Sequence, residues 1–164
     1  MKLQDYYCIN PEEKPLENLV EGGGFVRIFR RIAFVGDSLS AGEFESVNQQ
    51  GKSKGYDLYE YSWGQYIARM CGCTGYNFSR GGMTAREYCK SFAAKNGFWD
   101  KEKACQAYVI ALGVNDILNA HREIGSVQDI DLQNYANNKP TFMGHYGQII
   151  QNIRKFSPTQ SFSL

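Results

Sequence analysis

Three short clusters hold the residues that could do chemistry. The first is Gly36-Asp37-Ser38, inside RIAFVGDSLSAGEF, where the apolar run Ile32 to Val35 passes straight into a small polar turn. The second is Asn77 with Arg80-Gly81-Gly82-Met83-Thr84, and the third is Gly113-Val114-Asn115-Asp116. A serine delivered by the end of a buried strand is a candidate nucleophile, and Ser38 is that serine. The chemistry such a set supports is acyl transfer, which passes through a tetrahedral species with a negatively charged oxygen. That oxygen needs donors fixed in advance, and losing one costs about 3–4 kcal/mol in well-studied enzymes. The backbone N–H of Ser38, the N–H of Gly82 and the side-chain amide of Asn115 are three candidate donors. Gly82 lies just before Thr84, where the dipole of a following helix favours an anion. A glycine there lets a substrate approach the backbone closely.

The elements that must position these residues alternate between strand and helix. FVRIF, from Phe25, reads as a short alternating strand, and RIAFV as a buried one. EFESVNQQGKSKGYD, residues 43–57, reads as a polar loop. YSWGQYIARMC carries Trp63, Tyr66, Ile67 and Met70 at helical spacing. TGYNFS is a second short strand. TAREYCKSFAAK predicts a helix opened by a capping box of Thr84 and Glu87. AYVIAL, apolar on both faces, reads as a strand from the middle of a parallel sheet, and one expected to become an edge here because the sheet reads as cut short. DILNAHREI predicts a helix, and TFMGHYGQIIQNIRKF a long amphipathic one ending before Pro158. Residues 1–24, with Pro11, Pro15 and EGGGF, read as an irregular arm before a domain spanning 25–164. The alternation predicts an α/β layered fold with a parallel sheet. Its strand ends form one rim beside which ligands bind, so the three clusters are expected to converge there.

Composition narrows the function. The chain has 164 residues and a net charge of +1, which gives no footprint for nucleic acid or a membrane surface. Its five cysteines are irregularly spaced, which argues against a disulfide framework and suits a reducing compartment. Cys71 and Cys73 lack a second pair at zinc-ligand spacing and read as ordinary thiols. The opening MKLQDYYCINPEEKP is polar and acidic where a secretion signal needs an apolar run, and no stretch approaches a membrane span. A cytoplasmic location is expected. GKS at Gly51 to Ser53 is no phosphate loop, because Ser46 stands where a glycine is required.

Each candidate also has a plainer reading. Ser38 could cap a helix, although Ser40 with Glu43 forms a capping box that could do so instead. Gly82 could only relieve a turn, and Asn115 could be a turn residue. Asp37 reads as a local acceptor for backbone N–H groups. Asp116 reads as a helix N-cap and a brace for the Asn115 loop. Trp63 is expected to anchor its helix to the sheet. Arg80 and Arg86 could meet an anionic substrate.

Taken in order, GDSL, NFSRGGMT and GVND resemble the motifs of the SGNH hydrolases, the GDSL esterase/lipase family. Ser38, Gly82 and Asn115 match the family's serine, glycine and asparagine blocks. The resemblance covers roughly Phe25 to Pro158. It implies a flavodoxin-like three-layer α/β/α fold and hydrolysis of a small-molecule ester, such as an acetylated sugar or a lipid ester. It implies no metal or organic cofactor. The family's fourth block, D-x-x-H, supplies a base, and here Leu118 precedes His121 and Phe142 precedes His145 at the Asp position. The chain therefore reads as the first part of such a domain, truncated at the C-terminus, with weak or absent activity expected of it alone. The alternative is a non-catalytic binding module that retains the oxyanion pocket. A phosphate-binding reading is weaker, since no basic residue accompanies Gly36-Asp37-Ser38.

Overall fold

The structure, a computed structural model, describes residues 21–156. Residues 1–20 of the expected arm, Cys8 and Pro158 lie outside the described residues. Strand β1 (Arg31–Gly36) is the centre of a three-stranded sheet, flanked by β4 (Thr74–Asn77) and β5 (Ala107–Ala111), both parallel to it. Helix α2 (Trp63–Cys71) covers one face. The other face carries α3 (Ala85–Glu87), α4 (Ala93–Lys95) and the long α5 (Phe142–Phe156). This is the three-layer α/β/α arrangement expected from the sequence. No helix among the described residues is long and apolar enough to cross a membrane.

β1 is buried on both faces because helices cover both. Ala33 and Val35 enter a core with Phe78, Met83, Tyr88 and Ile149. Phe34 points the other way and meets the Trp63 ring edge-on, with centroids 5.2 Å apart, so Trp63 does anchor α2 to the sheet. Ser62 starts α2 by accepting the Gln65 N–H at 3.2 Å, and Gly72 ends it. On α5, Ile149 is fully buried and the Tyr146 hydroxyl donates to the Ile110 carbonyl at 3.0 Å, which ties the helix to β5. Thr84 caps α3, accepting the Glu87 N–H at 3.1 Å, and a π-helical turn at Tyr88–Phe92 joins α3 to α4.

β5 is an edge among the described strands, as expected, with Val109 39% exposed, and the central place belongs to β1. Three other expectations are corrected. FVRIF is no strand: Glu21–Ile28 forms a 3₁₀ turn against α2, closed by Phe29 N–H to Val26 O at 3.1 Å. Both sides of β1 are already paired, so it has no place beside β1. Residues 43–57 are not a loop but an antiparallel hairpin, β2 (Glu43–Val47) with β3 (Ser53–Asp57). Its residues are all exposed, so no apolar face announced it. It is held by the stacked Phe44–Tyr56 pair, and Asn48 turns the chain by accepting the N–H groups of Gln50 and Lys52. DILNAHREI is helical only over Asn115–Asn119, a single π turn, and His121 beyond it adopts φ +46°.

Candidate functional site

The sheet register aligns the three clusters. Phe34 pairs with both Asn77 and Val109, and Gly36 pairs with Ala111, so β1 and β5 end level and β4 ends two residues earlier on the same side of the sheet. Past that rim, Ser38 opens the short helix α1 (Ser38–Ala41) and is half-buried. Asp37, not Ser38 or Ser40, is the N-cap, accepting the Leu39 N–H on Oδ1 at 3.1 Å. Ser38 is thereby free of the capping duty that competed for it in the sequence. Gly36 must be glycine, because a Cβ there would lie 2.2 Å from Ser40 Oγ.

The second cluster curls over the rim from β4. The Ser79 hydroxyl donates to the Phe34 carbonyl at 2.7 Å, and Arg80 N–H donates to Gly36 O at 3.3 Å. Gly82 sits at φ +71°, a left-handed conformation that favours glycine, with open space where a Cβ would be. Arg80 pairs with Glu87 at 2.6 Å and stacks over Phe92, so its charge is already engaged.

The third cluster links the other two. Asn115 is buried, and its Nδ2 donates to the Met83 carbonyl at 3.2 Å and to Asp37 Oδ2 at 3.4 Å. One amide therefore touches the residue before Ser38 and the residue after Gly82. Asn119 Nδ2 fixes the amide's orientation by donating to Asn115 Oδ1 at 2.6 Å. Asp116 is fully buried, and its Oδ2 accepts the Ala85 N–H at 2.8 Å. It thus caps a helix from another part of the chain rather than its own, tying the third cluster to the first turn after Gly82. The sequence signalled the identity of Asp116 but not this partner.

The Ser38 hydroxyl makes no hydrogen bond with the described residues. His121 is exposed in a loop. His145 is buried in α5 with Nε2 unpartnered, and its carbonyl accepts from the Cys89 thiol. Burial, then the positive charges of Lys90 and Arg86, hold the imidazole below its ordinary range and so neutral. Burial pushes the Cys89 thiol up to about 12, with the Asp116 charge adding to the effect, so it is no nucleophile at neutral pH. Cys73 and Cys89 are free thiols. Among the described residues no group of three or more His, Cys, Asp or Glu is placed to hold a metal ion.

Two cavities flank the rim, meeting at Glu43 of the hairpin. A polar one of about 400 Å³ lies against Arg80, Gly81 and Gly82, with Glu43, Tyr56 and Asp57 as its other wall. A more apolar one of about 300 Å³ lies beside Leu39, with Phe44, Leu58 and Tyr61.

A family model described as GDSL-like Lipase/Acylhydrolase matches residues 32–161. Among solved structures, the chain is similar to a possible lipase from Chitinophaga pinensis DSM 2588, at 21% identity and a TM-score of 0.51. The match covers 79% of this chain and 45% of that one, so this chain spans less than half of that protein's length. The likeness shows a shared fold. No curated protein matches the chain.

Proposed function

As the chain belongs to the GDSL-like lipase/acylhydrolase family, we propose that it hydrolyses carboxylic esters with Ser38 as nucleophile and Gly82 and Asn115 as oxyanion donors. The observation that carries the reading is the Asn115 amide, which contacts Asp37 on one side and Met83 on the other. It gathers the serine loop and the glycine loop around one point. Ser38 Oγ bonds to the ester carbonyl carbon and its proton passes to water. The oxygen anion is held by the N–H groups of Ser38 and Gly82 and by Asn115 Nδ2. The longer Asn115 contact, to Asp37, is the one an oxyanion displaces. Collapse expels the alcohol, and water then cleaves the acyl–Ser38 ester. With no histidine bonded to Ser38, the rate rests on donors and positioning. In well-studied triads these leave roughly 10³–10⁴-fold over water. The test is hydrolysis of p-nitrophenyl butyrate by the chain and by Ser38→Ala. A slow rate that vanishes in the variant is expected; a rate unchanged by the substitution overturns the reading.

The unbonded Ser38 hydroxyl favours a second reading, a binding module that keeps the oxyanion pocket without turnover. Labelling of Ser38 by a fluorophosphonate, which needs an activated serine, favours the hydrolase over the binding module.

A further inference from the structure

We infer that Asn119 is a positioning residue: it decides which end of the Asn115 amide faces the pocket beside Ser38, and so whether that pocket offers a donor or an acceptor. The kinetic consequence rests on the hydrolase reading, whereas the geometry stands apart from it. A carboxamide carries an oxygen that only accepts and a nitrogen that only donates, on two ends of nearly equal shape. Its partners fix which end points where. On the nitrogen side, Asn115 Nδ2 meets two acceptors, the Met83 carbonyl at 3.2 Å and Asp37 Oδ2 at 3.4 Å. Both are long for N–H···O bonds, which centre on about 2.9–3.0 Å. On the oxygen side stands one short bond, Asn119 Nδ2 to Asn115 Oδ1 at 2.6 Å. The oxygen end is therefore gripped more tightly than the nitrogen end. It is also the grip that persists when the nitrogen end exchanges Asp37 for a ligand.

The local backbone supports this role. Asn119 ends the π turn Asn115–Asn119, and the Ala120 N–H returns to the Asn115 carbonyl at 2.8 Å. The backbone after Asn119 is thus fastened to the same residue that its side chain orients. Asn119 itself is exposed, and its side chain makes no other hydrogen bond with the described residues, so the core does not depend on it. Asn115 is buried. Losing the Asn119 donor leaves its Oδ1 as an unpaired buried acceptor and frees the amide to rotate. An amide pair four residues apart also steadies an exposed helical turn, and the experiment separates that role from the positioning one.

The experiment uses the full chain carrying Asn119→Leu, Asn119→Asp or Asn119→Gln, each alone and combined with Asn115→Ala. Leucine keeps the approximate bulk and donates nothing. An ionised aspartate sets a second acceptor against Asn115 Oδ1, and glutamine keeps an amide donor on a longer arm. In ¹⁵N spectra without ligand, the Asn115 side-chain N–H pair should shift in Asn119→Leu and Asn119→Asp and move back in Asn119→Gln. With p-nitrophenyl butyrate, kcat should fall roughly tenfold in Asn119→Leu and roughly 100-fold in Asn119→Asp, approaching the loss of a whole oxyanion donor, with KM within about twofold. On an Asn115→Ala background the same changes should cost nothing further, because a residue that works through Asn115 has nothing left to orient. An Asn115 N–H pair that does not move in Asn119→Leu and Asn119→Asp overturns the proposal. So does a kcat indifferent to Asn119, or losses that multiply in the double substitutions. Shifted Asn115 signals in a chain that turns over no ester, even unaltered, leave the positioning role standing and remove the hydrolase reading instead.

Discussion

Removing the Asp116 carboxylate should loosen the whole rim. Asp116 is fully buried, and it is the acceptor for the Ala85 N–H at 2.8 Å. In Asp116→Ala that amide has no partner and no access to water. Hydrogen bonds to charged groups are worth about 1.5–3 kcal/mol, and an orphaned buried donor costs about 1–3 kcal/mol. A loss of about 2–3 kcal/mol is expected. For a chain of this size each kcal/mol moves the midpoint by about 2–4 °C, so Tm should fall by about 4–12 °C. Asp116→Asn keeps the shape and offers a carbonyl oxygen to the same amide, so it should recover at least half of the loss. The assay is urea unfolding, with thermal melting as a check. In ¹⁵N spectra, Asp116→Ala should also shift the Gly82 and Asn115 resonances, because Asp116 joins their two loops. A loss under about 0.5 kcal/mol, the range of ordinary surface changes, would show that the Asp116–Ala85 bond does not hold the rim together.

Other outcomes follow from the same structure. Ile149→Ala, on the buried face of α5, should destabilise by about 2–5 kcal/mol in urea unfolding. Gly82→Ala forces a side chain into the left-handed region at a cost of about 1–2 kcal/mol, and should lower Ser38-dependent hydrolysis more than it lowers Tm. Burial holds His145 below its ordinary pKa, so the unfolded chain takes up the proton first as pH falls. Stability should therefore decline as pH drops below the ordinary histidine value of about 6.5. His145→Gln should remove that part of the slope in melts taken at a series of pH values.

What the sequence disclosed was decided by local pattern. Ser38, Gly82 and Asn115 each follow a strand whose apolar run is visible, and parallel pairing brings strand ends to one side of the sheet without further information. The contacts that lock them together were hidden, because they join residues far apart in the chain. Asn115 and Asp37 are separated by 78 positions, and Asp116 and Ala85 by 31. The hairpin was missed for a different reason. With every residue exposed, it has no buried face to print an alternation, and only Asn48, ahead of Gly51 between two short runs, marked the turn. Hydrophobicity alone does not separate AYVIAL from RIAFV. Which of two apolar strands lies inside depends on pairing partners, and β1 is paired on both sides.

The central claim is that three loops form one cradle for an oxygen anion beside Ser38. A crystal structure of the chain with butyrate bound addresses it most directly. One carboxylate oxygen is expected about 2.7–3.1 Å from both the Gly82 nitrogen and Asn115 Nδ2, with its carbon facing Ser38 Oγ. Butyrate lodged elsewhere, or an oxygen that reaches one of those two donors only, would contradict it.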